Sequence, residues 1–505
     1  MKRNKLLIAA LLGVSISLSS CGDEFLEGDN QVTLEPETAT EIIDADPEFI
    51  DSYTSGIWAW MVSYISAHDD AGVMAVLHAW DMMGEDLIMY KSHWFNYDYQ
   101  LDNRMGTYRR TNSAWNTFYT MINKANEIID FFPEEPTSVA ARGAYGNALA
   151  VRAYAYLNLI QGFANPTDSV GNLQLEMPGI PVITSSVDGY TQEESEELMG
   201  RNTVGRVFEI IEKDILKAIE LLDGYERPTK NYINKAVAQG IAARYYLLAQ
   251  NWSEAETMAK AARADYPVMA GDAVVNGIRD GFMDVNNTEW MWGFDQSSET
   301  SNIYASFGSH MSNLAPGYSG MLYSGRGIDV RLFNQMSDTD YRKMYWYNDA
   351  DTLTQCTAPR ESLGSMQPYA ILKHGWDGSW TMDYLYMRGA EMVLIEAEAL
   401  ARQEQETAAA TVLAELMSKR DPSWNKTSVT VEDVYLQRRL ELIGEGFVLH
   451  DLKRLAKGID RTYAGSNHMP GFKLKVPAGD VRWTYQIPQK EIQENTHISD
   501  EDQNP

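Results

Sequence analysis

The chain has 505 residues, 44% of them apolar, with 71 acidic against 42 basic side chains and a formal charge of −29. So acidic a surface repels nucleic-acid phosphate and anionic lipid headgroups, which excludes nucleic-acid binding and membrane attachment through a basic patch. Two cysteines exclude a disulfide-dense scaffold, so stability must come from a large apolar core, which this length can supply.

The first feature in chain order is a leader. Basic residues Lys2, Arg3 and Lys5 and an apolar run from Leu6 to Leu18 precede Leu18-Ser19-Ser20-Cys21, the layout of a secretory signal. The run is shorter than the ~20 residues of a bilayer span, and the small residues before the cysteine resemble a bacterial lipobox. The expectation is a signal peptide over 1–20, lipid on Cys21, a polar acidic tether over 21–45 and one domain over 46–505. Acyl chains at roughly 0.8 kcal/mol per buried methylene would hold such a protein on a membrane while its body stays in water. Loss of the three leader cations takes the charge from −29 to −32. Cys356 is then without an intrachain partner and reads as an inert buried thiol.

In His93-Trp94-Phe95-Asn96-Tyr97-Asp98-Tyr99, strand alternation sends Phe95, Tyr97 and Tyr99 to one face and Trp94, Asn96 and Asp98 to the other. The first set reads as core. Trp94 beside Asn96 on a polar face is a candidate for ligand contact, and Tyr97 between them is kept as a candidate too. Helices are marked by apolar residues at steps of three and four, as in Phe208, Ile211, Ile215, Ala218 and Leu222. Thr111–Phe131, Ala144–Leu159, Ala236–Leu248, Ala390–Arg402 and Val431–Gly444 read similarly. Between Lys235 and Pro267, residues Tyr246, Ala255, Ala262 and Pro267 fall where a tetratricopeptide repeat places them, with Ser253 and Glu256 as a capping box. Gln239, Ala243 and Ala259 make it a degenerate copy. An ordinary helical hairpin is the alternative.

Trp290–Phe294 reads as a strand with Trp290, Trp292 and Phe294 on one side. From Ser297 to Arg360 the chain is rich in Gly, Ser, Asn and Tyr without helical period, and so long an irregular stretch is usually functional. Tyr304, Phe307 and Tyr318, with His310 and Asn313, are its candidate binding residues. Trp346 is a further candidate, with Trp376 and Trp380 beyond it.

Catalytic signatures of metalloproteases, serine hydrolases, phosphate-binding loops and dinucleotide folds are absent from the sequence. His78 with Asp81 and Glu85, and His68-Asp69-Asp70, have metal-like spacing but read as chance neighbours in an acidic chain. No metal, cofactor or catalytic residue is expected. Binding suits the composition better, because 28 Tyr and 13 Trp supply rings with an apolar face and a polar tip. The C–H face of a sugar lies flat on such a ring while its hydroxyls seek polar neighbours.

The C-terminal third carries a resemblance. Arg388-Gly389-Ala390-Glu391 running to Ala397-Glu398-Ala399, then Arg438-Arg439-Leu440-Glu441-Leu442 with Glu445-Gly446 and Asp451-Leu452-Lys453-Arg454, resemble motifs of the SusD/RagB family. Ile487-Pro488 with Glu491, Asn495 and Gln503-Asn504-Pro505 is similar to its C-terminal signature. Asn116 to Asn126, Arg152-Ala153-Tyr154-Ala155-Tyr156, Gly179-Ile180-Pro181 and Cys21 with Phe25-Leu26 extend the match. Gln437 and Val448 depart from it, where glutamate and a second arginine are usual. Physically, Arg438, Glu441 and Glu445 sit at spacings that share one helix face, and they read as helix-joining residues rather than catalytic ones.

The resemblance implies a mainly α fold, a SusD-like scaffold of four tetratricopeptide-like helix pairs. An irregular ligand-binding half with a few short strands would complete it, with binding loops near 80–110 and 295–385. It also implies that ligand aromatics lie just before the helix near Trp115 and after the Trp290 strand. The implied protein is a non-catalytic surface lipoprotein of a Gram-negative, Bacteroidetes-type outer membrane. It would capture glycan for a SusC-like TonB-dependent transporter and act as its hinged lid. An oligopeptide ligand, a surface glycoside hydrolase and a purely protein-binding scaffold are the alternatives.

Overall fold

The computed structural model describes residue 42 and residues 47–63, 65–270, 281–320, 325–347, 366–376 and 378–505. The leader, Cys21, the tether apart from residue 42, and Cys356 lie outside the described residues. Helices of seven or more residues are α1 (Pro47–Val62), α2 (Gly72–Met82), α3 (Arg109–Ile129), α4 (Val139–Phe163), α5 (Gln192–Leu198) and α6 (Val204–Leu221). They continue as α7 (Lys235–Leu248), α8 (Trp252–Ala262), α9 (Gly389–Arg402), α10 (Glu406–Met417), α11 (Val431–Glu441) and α12 (Val448–Arg454). The strands are short: β1 (Leu87–Met89), β2 (Trp290–Phe294), β3 (Arg326–Ile328), β4 (Trp346–Tyr347), β5 (Ala370–Ile371), β6 (Tyr384–Arg388), β7 (Ile459–Asp460) and β8 (Lys475–Val476).

Eight helices pack in a row, α1 on α3, then α4, α6, α7, α8, α9 and α10, which is the expected set of four pairs. Sequence decides each helix's place in the row. In α6, Val204, Val207, Phe208, Ile211, Ile215 and Ala218 form the buried stripe of a helix with one wet side. In α4, every residue from Gly146 to Phe163 is buried, as a helix with neighbours on all sides must be. Its Arg152 is only 2% exposed and is compensated by Asp214 and Asp188 at 2.7 and 2.9 Å, so one guanidinium joins three segments. In the α7–α8 hairpin, Ala255, Ala259 and Ala262 are fully buried and let the helices approach closely. The cap of α8 differs from expectation. Asn251, two residues before Ser253, accepts the hydrogen bond from the Glu254 N–H, so the helix begins earlier.

The other half carries a four-stranded antiparallel sheet ordered β1-β3-β5-β4, and a β2–β6 pair. Register irregularities between Trp290 and Gly293 rotate the strand. Trp290 therefore enters a different apolar cluster from Trp292 and Phe294, and the three do not share one side.

Where the halves meet, Arg388 at the end of β6 is fully buried and reaches Glu289, Glu441 and Glu445, each at 2.8 Å. Arg420, Arg342 and Lys373 join through Glu441, Asp340 and Glu445. Four cations thus meet four carboxylates. Burial alone would raise the Glu441 carboxyl, but Arg420 and Arg388 outweigh it and hold it well below the ordinary range. The spacing of Arg438, Glu441 and Glu445 does join helices, but through partners distant in sequence. Helix α11 ends at Glu441, and Arg438 bonds Asp451 on α12 at 2.7 Å. Gln437 accepts a 2.6 Å hydrogen bond from Arg342.

Candidate functional site

The site begins at the loop after α1. Asp69 accepts from Arg110 at 2.9 Å and from Arg109 at 2.5 Å, while Asp70 accepts from Ser113 and from Ser66. Burial would raise the Asp69 carboxyl, but Arg110 and then Arg109 outweigh it and hold it below the ordinary range. The loop is thereby pinned to the first turn of α3, and His68 is held at its tip.

The segment that was expected to be a strand turns instead. Phe95 takes a left-handed conformation (φ 69°) and opens a short helix, Asn96–Gln100. The alternation fails for a physical reason. Asp98 is drawn inward to Arg110 (3.0 Å) and Asn103, and is 2% exposed. Tyr97, assigned to the core by alternation, is 61% exposed. Trp94, just before the turn, stacks on His68 with ring centroids 5.6 Å apart and 26° between planes.

A third segment completes the cluster. Ser306 caps the short helix Phe307–Met311. The chain then doubles back, with the Tyr318 N–H donating to Ser309 Oγ at 3.0 Å and Ser319 Oγ donating to the His310 carbonyl at 2.6 Å. Tyr318 is thereby set parallel to His310, and its hydroxyl bonds His68 Nδ1. Burial pushes His310 down to about 3, with Arg326 adding to the effect, so the ring is neutral and its Nε2–H donates to the His68 carbonyl at 2.7 Å. Tyr304 lies 6.1 Å from Tyr318 and 5.8 Å from Trp380, which packs on Trp376 at 4.7 Å.

The outcome is a continuous band of rings: Trp94, His68, Tyr318, Tyr304, Trp380 and Trp376. Tyr304 is 47% exposed, and the others are half-buried. They keep solvent-facing surface while their edges are braced, which suits a flat ligand face.

Of the expected site residues, Trp94, Tyr304 and Tyr318 come together here. Asn96 is half-buried one residue beyond the turn, and Tyr97 faces a neighbouring cleft. Phe307 sits behind the band, with its ring against His374, Tyr384 and His78. Trp346 is a correction. It is 1% exposed on β4, paired with Ile371 of β5, and belongs to the core. Asn313 is likewise structural, donating to the Arg326 and Ile371 carbonyls. His68 stands out in the sequence only within a His-Asp-Asp run of metal-like spacing, and its place beside Trp94 and Tyr318 emerges from the fold. His78, Asp81 and Glu85 do not converge, since they face Arg326, the Gly446 and Val448 N–H groups, and Arg331 with Arg439. No described helix is long and apolar enough to cross a membrane.

Comparison with known proteins places this geometry. A family model described as SusD-like, starch-binding associating with outer membrane, matches residues 24–247, and the SusD family model matches residues 299–505. No curated protein sequence matches the chain. Among solved structures, a SusD-like carbohydrate binding protein from Bacteroides vulgatus superposes with a TM-score of 0.75 at 24% identity, covering 91% of this chain and 98% of that one. Surface glycan-binding protein A from Bacteroides thetaiotaomicron, solved in complex with laminarihexaose, gives 0.67 at 16% identity over 90% and 99%. A laminarin binding SusD-like protein gives 0.63 at 17% over 91% and 99%. With the helical row, the motif residues and both family models in agreement, the chain belongs to the SusD/RagB family.

Proposed function

We propose that this protein binds glycan on the band formed by Trp94, Tyr318, Tyr304 and Trp380, and passes it to a SusC-like TonB-dependent transporter in the outer membrane. Lipid on Cys21 would hold it there, with residues 46–505 as the working domain. The observation that carries the reading is the band itself. Rings from separate segments share one surface, and partly exposed aromatics in a row are what a sugar chain's C–H faces stack on. The structural relatives that are solved with, or named for, laminarin-type glycans support the same ligand class.

We read the site as binding without cutting. The carboxylates beside His68, Asp69 and Asp70, are engaged by Arg109, Arg110 and Ser113. Calorimetry of the chain from residue 22 onward against neutral glycans and oligopeptides tests the ligand class. Micromolar binding of a glycan is expected. Binding of peptides and no glycan would replace the sugar reading with the oligopeptide one, and release of reducing ends would replace it with a hydrolase. Co-purification of a large outer-membrane barrel with the tagged full chain tests the partner.

A further inference from the structure

Beside the band, a cleft adjoins Phe95, the residue that follows Trp94. It encloses about 420 Å³ and is lined by Phe95, Tyr97, Asp102, Asn103, Tyr108 and Arg109, among others, a size within the roughly 300–1,000 Å³ of small-ligand sites. We propose that it is a second saccharide-binding subsite, taking one neutral pyranose unit of a longer glycan whose other units lie on the band. The inference rests on the glycan reading above.

Three independent features point there. Tyr97 and Tyr108 are 61% and 41% exposed and offer two aromatic walls, each an apolar face with a polar tip. Asn103 lines the same cleft at 2% exposure, and its Oδ1 accepts no hydrogen bond from the described residues. Its orientation is fixed, because Nδ2 donates to the Asp98 carboxylate and to the Tyr485 hydroxyl at 3.1 Å, so the free end is the acceptor. An acceptor buried and unpaired is costly, and a ligand hydroxyl reaching the cleft floor would relieve that cost. Finally, the 21-residue helix α3 starts in the cleft, and Tyr108 at its N-cap supplies no side-chain cap. Its first N–H groups can therefore donate to a sugar oxygen.

Charge selects a neutral sugar over an acidic one. Asp69 and Asp98 are already paired with Arg109 and Arg110, while Asp102 stands exposed at the rim and opposes an added anion. An acidic sugar would find Arg109 occupied by Asp69.

The test is a length series of the bound glycan, measured by calorimetry on the full chain in detergent with Tyr97→Ala, Tyr108→Ala and Asn103→Leu. Circular dichroism and melting confirm folding of each variant, and the two exposed tyrosines serve if Asn103→Leu does not fold. Short oligomers should bind wild type and the tyrosine variants alike. Long oligomers should gain affinity on wild type and lose about tenfold on each tyrosine variant. Equal affinities at every length would overturn the subsite while leaving the band in place. Failure of wild type to bind any glycan would overturn both, and a Trp94→Ala control separates the two cases.

Discussion

The rings of Tyr318 and His310 lie parallel, 2° apart in plane and 4.9 Å between centroids. Because burial keeps His310 neutral, this is stacking between two uncharged rings, and it fixes Tyr318 without help from its hydroxyl. The hydroxyl adds the bond to His68. Tyr318→Phe should therefore keep most glycan affinity, whereas Tyr318→Ala and Trp94→Ala should each lose tenfold or more, about 1.4 kcal/mol. Calorimetry reads the loss, and unchanged melting temperatures would show that it comes from the surface.

Trp346 and Trp380 should behave oppositely. Trp346→Ala empties a filled site in the core and should cost about 3–5 kcal/mol of stability, with the remaining folded protein binding normally. Trp380→Ala should weaken binding with little change in melting. Urea unfolding beside calorimetry checks both halves of the contrast.

The buried network predicts a large penalty at a single acid. Glu441→Gln leaves Arg388, Arg420 and Arg342 short of one negative charge, which should cost about 3–5 kcal/mol of stability, read as a lower urea midpoint. Glu209→Ala, which removes only an exposed partner of Arg206, should leave the midpoint unchanged.

The same acid sets a pH dependence. Its folded-state pKa lies below the ordinary 4.5, so the unfolded chain takes the proton first. Its contribution is full above pH 4.5 and is lost as pH falls from there through the folded value. The stability gap between wild type and Glu441→Gln should thus be constant from pH 8 to 5 and shrink below 4.5. Urea midpoints across that range measure it, and a gap that widened in acid would contradict the assignment.

Gly446 offers a backbone test. Its φ is +91°, and an added Cβ would lie 2.6 Å from Cβ of Leu77, so neither conformation nor space admits a side chain. Gly446→Ala should cost about 1–3 kcal/mol or more, read as a lower melting temperature.

The helical row was legible because period and residue size are local properties. The stripe in α6 and the alanines of α8 state their packing partners in the sequence itself. The band was legible only in part. Trp94, Tyr304 and Tyr318 stand out by composition, but His68 is made relevant by Asp69 reaching Arg110, a contact between distant segments. Alternation misread residues 94–99 because one buried ion pair, Asp98 with Arg110, outweighed the pattern of apolar residues. Trp346 was misplaced because β4 has only two residues, too few for any period to show.

The rings that face solvent ride on connecting segments, each fastened by its own bonds to a helix or a neighbouring turn, as Asp69 is to α3 and Tyr318 to Ser309. The surface those rings present can therefore be edited one loop at a time. An aromatic can be exchanged there while the buried machinery that keeps the chain folded goes on unaltered.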